Sequence, residues 1–346
     1  LATRMEGAYT NAVMNFPVTA VVNVAEGTLV NARYIVIGNG ATISNGLMSG
    51  TINQYGGVVR TYGATAESNG IRVAHYPLGL GTYRMRGGTL VIDNGWDLCI
   101  ATDGTGWVHQ TGGEIYTSRV MLNERNANFG FGRLTVAGGV LNIGLTNGIL
   151  NVVTNGIMAD TGAPYTVEFG GAGGVIRAVT NFWVPANATL YGTGTDAITF
   201  DTRQHAVLVS GNLTGPGGFN KTGSGTLTLS GNNTYAGPAR ILAGALVRGS
   251  AGALPAGSEV LFGVTAADDG GRLHSDGDLS LAGIVVGVAN PGELDKAKTY
   301  TIATYGGSLT AGVEADNLPG PWYVYYDWAG KRVQIKAAVG TLISVH

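Results

Sequence analysis

Two groups of acidic residues are the side chains in this sequence best suited to chemistry. Asp268 and Asp269 are adjacent, and Asp276 and Asp278 flank Gly277. Paired carboxylates can cleave polysaccharides, and clustered oxygens can hold Ca²⁺. Each group lies beside glycine in loop-like sequence, however, and neither spacing matches an EF-hand loop or the nonapeptide of calcium-binding solenoids. We interpret all four as turn residues, with a calcium site as an open alternative.

No other set of residues forms a catalytic or metal-binding pattern. The five histidines are scattered, and no two have the spacing of metal ligands. No nucleophile-elbow, Walker or dinucleotide-binding motif stands between a strand pattern and a helix pattern. We therefore expect no catalytic residue, no cofactor and no metal ligand, and we predict that the protein is not an enzyme. A polysaccharide-active solenoid enzyme is the least favoured alternative.

Arginine and aromatic residues offer a weaker indication of binding. Arg84 and Arg86 flank Met85, so both project from the strand face opposite to it, which we interpret as solvated. His109 follows Trp107 on another strand and is expected to be exposed. A further set of aromatic residues could bind sugars, but in solenoids such residues more often pack in the core or at the ends: Trp107, Trp183, Trp322, Tyr323, Tyr325 and Tyr326.

The composition favours strands and turns. Of 346 residues, 58 are glycine, 45% are hydrophobic and only 12% are charged. A net charge of −2 gives no electrostatic case for binding nucleic acid. No apolar run is long enough for a membrane-spanning helix. The first residue, Leu1, fits a mature chain whose export signal has been removed, and Cys99, in an apolar run, is expected to be a buried thiol.

The elements that position these residues follow from a repeated Gly-Gly pair. It occurs at 56–57, 87–88, 112–113 and 138–139, each time between two alternating apolar runs. The intervals between successive pairs are 31, 25 and 26 residues, a typical spacing for solenoid repeats, and each interval contains a third apolar run. We predict three short strands per coil of a parallel β-helix. A propeller blade would need four antiparallel strands in a longer unit, and the strands of a sandwich would share no such motif.

One segment resembles a known family. Residues 215–237 read Gly-Pro-Gly-Gly-Phe-Asn-Lys-Thr-Gly-Ser-Gly-Thr-Leu-Thr-Leu-Ser-Gly-Asn-Asn-Thr-Tyr-Ala-Gly. This resembles the autotransporter-associated β-strand repeat, also called the passenger-associated transport repeat, with Phe219 where the family usually has leucine and Ala245 where it has threonine. The resemblance implies an all-β, right-handed parallel β-helix that is exported by a bacterium. The family repeat is scaffold and implies no catalytic residue.

These features predict three parts of the chain. Residues 1–31 lack the Gly-Gly unit and are expected to form a cap or docking arm with irregular strands. Residues 32–250 are predicted to form the β-helix, with the family repeat at 211–250. Residues 251–346 are expected to form an irregular end module of the solenoid, with an apolar, strand-like tail at 340–346.

The predicted function follows from the ends of a solenoid, which present unpaired backbone groups. We expect a secreted or cell-surface bacterial structural protein that assembles head to tail with copies of itself, since a contact that does not close on itself gives a filament. The main alternative is a monomeric adhesin that binds surface glycans. Nucleic acid and a membrane-spanning segment are not expected.

Overall fold

The computed structural model describes residues 18–31, 35–38, 48–61, 70–93, 97–123, 130–144, 156–159, 164–249 and 254–338. Within these ranges the chain forms short strands and two single-turn 3₁₀ helices, Gly194–Asp196 and Pro291–Glu293. No helix among the described residues is long and apolar enough to cross a membrane.

The strands of the first part of the chain are β1 (Val18–Val24), β2 (Thr28–Asn31), β3 (Ile35–Ile37), β4 (Met48–Gln54), β5 (Val58–Thr61), β6 (Ile71–Val73), β7 (Gly79–Met85), β8 (Thr89–Ile92), β9 (Asp97–Ile100), β10 (Thr105–Thr117), β11 (Arg119–Leu122), β12 (Phe131–Ile143), β13 (Gly156–Ala159), β14 (Tyr165–Gly170), β15 (Val175–Ala178) and β16 (Phe182–Val184). Those of the second part are β17 (Ala188–Tyr191), β18 (Ile198–Asp201), β19 (Ala206–Val209), β20 (Leu213–Thr214), β21 (Phe219–Thr222), β22 (Thr226–Leu229), β23 (Ala239–Ile241), β24 (Ala245–Arg248), β25 (Ser258–Phe262), β26 (Arg272–Ser275), β27 (Leu279–Ser280), β28 (Ile284–Val288), β29 (Thr299–Tyr305), β30 (Leu309–Ala311), β31 (Ala315–Asp316), β32 (Trp322–Asp327) and β33 (Arg332–Ala337).

Two long sheets run along the stack. In the described ranges one sheet has 18 strands and the other has 13, and β27 and β30 form a small third sheet. Before the C-terminal strands β32 and β33, the strands pair in parallel from one coil to the next, as β4 does with β7 and β7 with β10. The parallel β-helix predicted from the Gly-Gly repeat is therefore confirmed.

Each regular coil contributes three strand positions. In one coil β7 and β8 lie in the first sheet on either side of the Gly87-Gly88 corner, and β9 lies in the second sheet. In the next two coils the first two positions merge into the long strands β10 and β12. Their register shifts at the Gly-Gly pair, where the strand bends.

The Gly-Gly corners require glycine for two reasons. The second glycine of each pair has a positive φ, +77° at Gly88 and +68° at Gly113, which side chains of L-residues rarely adopt. The corners also stack directly on one another. A Cβ atom on Gly88 would lie 2.5 Å from the carbonyl oxygens of both Gly56 and Gly57. No side chain fits between successive corners.

The core lies inside the coils, where alternate residues of most strands point inward, as in β7 and β8. Aromatic residues of four successive coils stack edge to face, with ring centroids 6.2, 5.9 and 5.6 Å apart along Phe169, Phe200, Phe219 and Tyr235. Cys99 is fully buried, as expected from its apolar surroundings in the sequence.

The two ends of the chain differ from the middle in their pairing. Residues 1–17 lie outside the described residues, whereas β1 and β2 pair in parallel with β4 and β5. The described part of 1–31 is therefore paired with the stack, and the division of the chain into three parts stays a prediction. Parallel strands also continue past residue 250, and the strand β33 then pairs antiparallel with β29 and β32. The apolar tail at 340–346 lies outside the described residues.

Candidate functional site

The four aspartates singled out in the sequence are held separately. Asp268 accepts hydrogen bonds from the backbone N–H of Thr301 at 2.6 Å and from its hydroxyl at 2.9 Å. Asp278 accepts one from the backbone N–H of Ser308 at 2.7 Å. Both carboxylates tie one coil to the next.

The other two aspartates make local contacts. Asp269 accepts a hydrogen bond from the hydroxyl of Thr265 at 2.5 Å, and the carboxylate of Asp276 lies 3.0 Å from Nε2 of His274. Across the part of the chain that the structure describes, no three His, Cys, Asp or Glu side chains are grouped so that they could hold a metal ion. These are the contacts of turn residues.

A second group of side chains comes together on the outer surface of the first sheet. We call it the Arg–Trp face, and it consists of Tyr55, Arg84, Arg86, Trp107, His109 and Arg133. Parallel register aligns its members, because His109 pairs with Arg84 of the preceding coil and Trp107 pairs with Arg133 of the following one. Neighbouring coils are about 4.8 Å apart, so the side chains form one continuous surface.

Cation–π contacts organise this surface. The guanidinium of Arg86 lies 5.2 Å from the ring centre of Tyr55, and that of Arg133 lies 5.9 Å from the ring of Trp107. Both rings remain accessible, with 47% of Tyr55 and 42% of Trp107 exposed. The face thus offers aromatic surface and cationic groups side by side.

The electrostatics of the face are positive. Burial lowers the pKa of His109 below its ordinary value, and the charges of Arg133, Arg84 and Arg86 lower it further. Glu168 opposes them in part. Its carboxylate binds Arg133 through two hydrogen bonds, at 3.0 and 2.8 Å. Burial and the three arginine charges together outweigh Glu168 and favour the neutral form of His109.

The N-terminal end of the described stack is an edge strand without charged residues. β1 reads Val-Thr-Ala-Val-Val-Asn-Val and pairs with β4. Among the described residues no strand pairs with its other side. Val21, in the middle of β1, is 57% exposed. Long apolar edges of this kind are templates for pairing with another chain.

The C-terminal end carries an antiparallel hairpin with an aromatic surface. β33 pairs with β32, whose second edge has no partner strand in the described ranges. Tyr323, Tyr325 and Trp328 are exposed there. Lys336 lies 3.5 Å from the ring centre of Tyr325, and Trp328 stacks on Tyr326 at 5.7 Å. The two ends of the stack therefore present different surfaces.

A buried lysine lies at a corner between two coils. Lys221 occupies an inward position between Phe200 of the preceding coil and Ile241 of the following one, and it is fully buried. Its ammonium group donates hydrogen bonds to the carbonyl oxygens of Thr222, Gly223 and Ala243 at 2.8, 2.7 and 2.9 Å. All three of its protons are used to bind the corner backbone.

The comparisons with known proteins concern the segment around this lysine. Residues 219–247 match the family model of the passenger-associated transport repeat. No curated protein and no solved structure matches the chain significantly. The resemblance inferred from the sequence is therefore confirmed for this segment.

The passenger repeat is a continuous part of the stack. Its first strand, β21, pairs with β18 before it and β23 after it, and its second strand, β22, pairs with β19 and β24. Phe219 and Tyr235 of the repeat are two members of the aromatic stack in the core. The repeat thus adds coils to the same two sheets.

Sequence reasoning missed the polar side chains that bind the corners from inside. Besides Lys221 in the passenger repeat, Gln54 donates to the carbonyl oxygens of Gly56 and Gly57 at 3.3 and 3.2 Å. Gln110 donates to that of Gly113 at 3.2 Å. The sequence contains a pattern that could have identified these side chains. Each stands two residues before a glycine corner, at an inward-facing strand position that holds an apolar residue in other coils.

Proposed function

We propose that this protein is an exported, non-catalytic β-solenoid of the bacterial surface or extracellular space, and that it self-associates through the two ends of its stack. The passenger repeat at 219–247 supports export, because it is named for passenger proteins that are transported. The uncharged edge of β1 carries the proposal of self-association. A structural role is consistent with the polar side chains of Lys221, Asp268 and Asp278, which bind the backbone of neighbouring coils.

The edge of β1 favours association because no other described strand pairs with its outer edge and its side chains are largely apolar. Valine, threonine and alanine suit a pleated surface, and no lysine or proline interrupts this strand. The hairpin edge at β32 is a second surface of different character, with three exposed aromatic residues near it. A contact between two unlike ends is heterologous and can repeat without closing. The expected product is an open filament.

The absence of catalysis is also part of the proposal. Asp268 and Asp278 are used to bind backbone N–H groups of the following coil. Polysaccharide cleavage would need two carboxylates that converge on one bond. Assays of the purified protein on acidic and neutral glycans are expected to give no product. Lyase or hydrolase activity would overturn this part of the proposal.

A charge on the edge of β1 is the direct test of association. We expect Val21→Lys to raise the concentration needed for self-association about tenfold, since an ammonium group on an edge strand discourages pairing. Sedimentation velocity over a concentration series would measure the shift, and negative-stain microscopy would show whether filaments give way to single rods.

Leu208→Lys supplies the matched control. Leu208 is also an exposed apolar residue on a strand, β19, but β19 is paired on both sides within the stack. This variant should associate like the parent protein. Equal behaviour of the two variants, or a parent protein that stays monomeric at all concentrations, would contradict end-to-end association.

A further inference from the structure

The Arg–Trp face concentrates cationic groups that the structure leaves largely uncompensated. Arg133 is paired with Glu168. Arg84 has no acidic partner among the residues that the structure describes, and the polar contact of Arg86 is with the hydroxyl of Tyr55 at 3.3 Å. Several other arginines in sheet strands are paired with a carboxylate, as Arg177 is with Asp201. The local charge is positive although the whole chain carries −2.

The aromatic residues of the same face are placed to receive a ligand. Trp107 stands at an outward position of β10, Tyr55 directly follows β4, and each keeps almost half of its surface in water. Exposing so much aromatic surface forgoes the gain from burial. An aromatic ring next to a guanidinium can stack on the apolar face of a sugar ring while the guanidinium binds a carboxylate or sulfate through two hydrogen bonds.

We propose that the Arg–Trp face binds an anionic polysaccharide, with Trp107 and Tyr55 stacking on sugar rings and Arg84 and Arg86 pairing with carboxylate or sulfate groups. The face spans several coils along the stack axis, so an extended polymer can contact it at successive coils. The surface lies on the side of the stack and not at its ends. Binding is therefore independent of the end-to-end association proposed above.

A polysaccharide fits this face better than a nucleic acid. Nucleic-acid binding depends on many phosphate contacts from a broad basic surface, and such domains have a strongly basic pI. This chain has a pI near 6.2, and its cationic patch contains three arginines, one of them balanced by Glu168. A few charge pairs combined with stacking on sugar rings suit a polysaccharide whose rings themselves carry the anionic groups.

The test is a binding experiment on the full chain with four polymers. The probes are polygalacturonate for carboxylate groups, dextran sulfate for sulfate groups, uncharged dextran, and single-stranded polythymidylate. We expect saturable binding to at least one of the two anionic polysaccharides, weakened by added NaCl, and no binding to dextran. The preference between the first two probes identifies the anionic group.

Substitutions in the face should reduce that binding without loss of fold. Arg84→Gln and Arg86→Gln are each expected to weaken binding about tenfold, because each removes a charge-assisted hydrogen bond. Trp107→Ala should weaken it about fivefold. These side chains point out of the coil, so thermal unfolding followed by circular dichroism should change little.

Two control variants make the same kinds of substitution outside the Arg–Trp face. Arg203→Gln removes an exposed charge on a turn, and Trp183→Ala removes an exposed tryptophan from the second sheet. Both should bind like the parent protein. The proposal is overturned if neither anionic polysaccharide binds, if Arg203→Gln loses as much affinity as Arg84→Gln, or if polythymidylate binds more tightly than both polysaccharides. Arg84→Gln should leave self-association unchanged, which separates this proposal from the end-to-end association.

Discussion

Lys221→Met is expected to lower the free energy of unfolding by about 3 kcal/mol, among the largest effects of any single substitution in this chain. Methionine fills the same inward space between Phe200 and Ile241 but cannot donate hydrogen bonds. Three carbonyl oxygens at the corner would lose the hydrogen bond from the ammonium, although that of Thr222 would still accept from the backbone N–H and hydroxyl of Thr202. Hydrogen bonds from a charged donor contribute about 1.5–3 kcal/mol each, and the cost of burying the ammonium offsets part of the sum. Chemical denaturation would measure the change.

Lys221→Gln is the matched variant, because glutamine side chains donate hydrogen bonds to the corner carbonyls at two other corners. Gln54 and Gln110 each reach the corner carbonyls from an inward position two residues before a glycine. Glutamine at 221 should recover about half of the loss, since its amide has two donors where the ammonium has three. If the methionine and glutamine variants are equally unstable, the role assigned to the hydrogen bonds is wrong.

The same lysine predicts a pH dependence. Burial lowers the pKa of Lys221 to about 8, although Asp201 opposes the shift, and its ordinary value is 10.5. Between these values the unfolded chain binds more protons than the folded one, so the folded state gains stability as pH rises. From pH 8 to pH 10 the free energy of unfolding of the parent protein should rise relative to that of Lys221→Gln by up to about 1.4 kcal/mol per pH unit. Other titrating groups cancel in this comparison. A constant difference across that range would contradict it.

Gly88→Ala is expected to destabilise the protein by about 4 kcal/mol. Alanine at φ +77° costs about 1–2 kcal/mol by itself. Its Cβ atom would also lie 2.5 Å from two carbonyl oxygens of the coil below, and those atoms belong to backbone that is itself held by the stack. Forcing an extra carbon into packed structure typically costs a further 1–3 kcal/mol. Thermal and chemical unfolding would both report the loss.

Gly257→Ala separates the two contributions to that loss. Gly257 has nearly the same φ, +76°, but a Cβ atom there would meet nothing within 4 Å. Its replacement should therefore cost only the strain of about 1–2 kcal/mol. Equal losses at Gly88 and Gly257 would mean that the contact between stacked corners has no energetic weight.

The positions of the strands were predictable because their cause is local. Alternating apolar residues specify which side of a strand is buried, and a Gly-Gly pair at a regular interval specifies a bend that recurs. The strands around 51–59, 82–92 and 134–141 follow from these patterns alone. The passenger repeat was recognisable for the same reason, since its glycines and its Thr226-Leu227-Thr228-Leu229 strand are contiguous in the sequence.

The buried polar groups were not predictable in the same way. Alternation places Lys221 and Gln54 on the inward side, but a local pattern cannot tell whether a long polar side chain finds acceptors there. The acceptors of Lys221 include Ala243, which belongs to the next coil. Only the stacking of coils brings that carbonyl within reach.

The sequence by itself determined the repeating unit of this protein, with its three strands and its glycine corner. It also determined that one segment resembles the passenger-associated transport repeat. The tertiary structure decided which units lie next to one another and in what register. Arg84 and His109 are far apart in the chain and become neighbours because parallel pairing places them in adjacent coils. The four aspartates, whose proximity in sequence left a calcium site as an alternative, are each held by a different contact in the folded chain. Surfaces of a solenoid run across its coils, so they follow from the register of the strands.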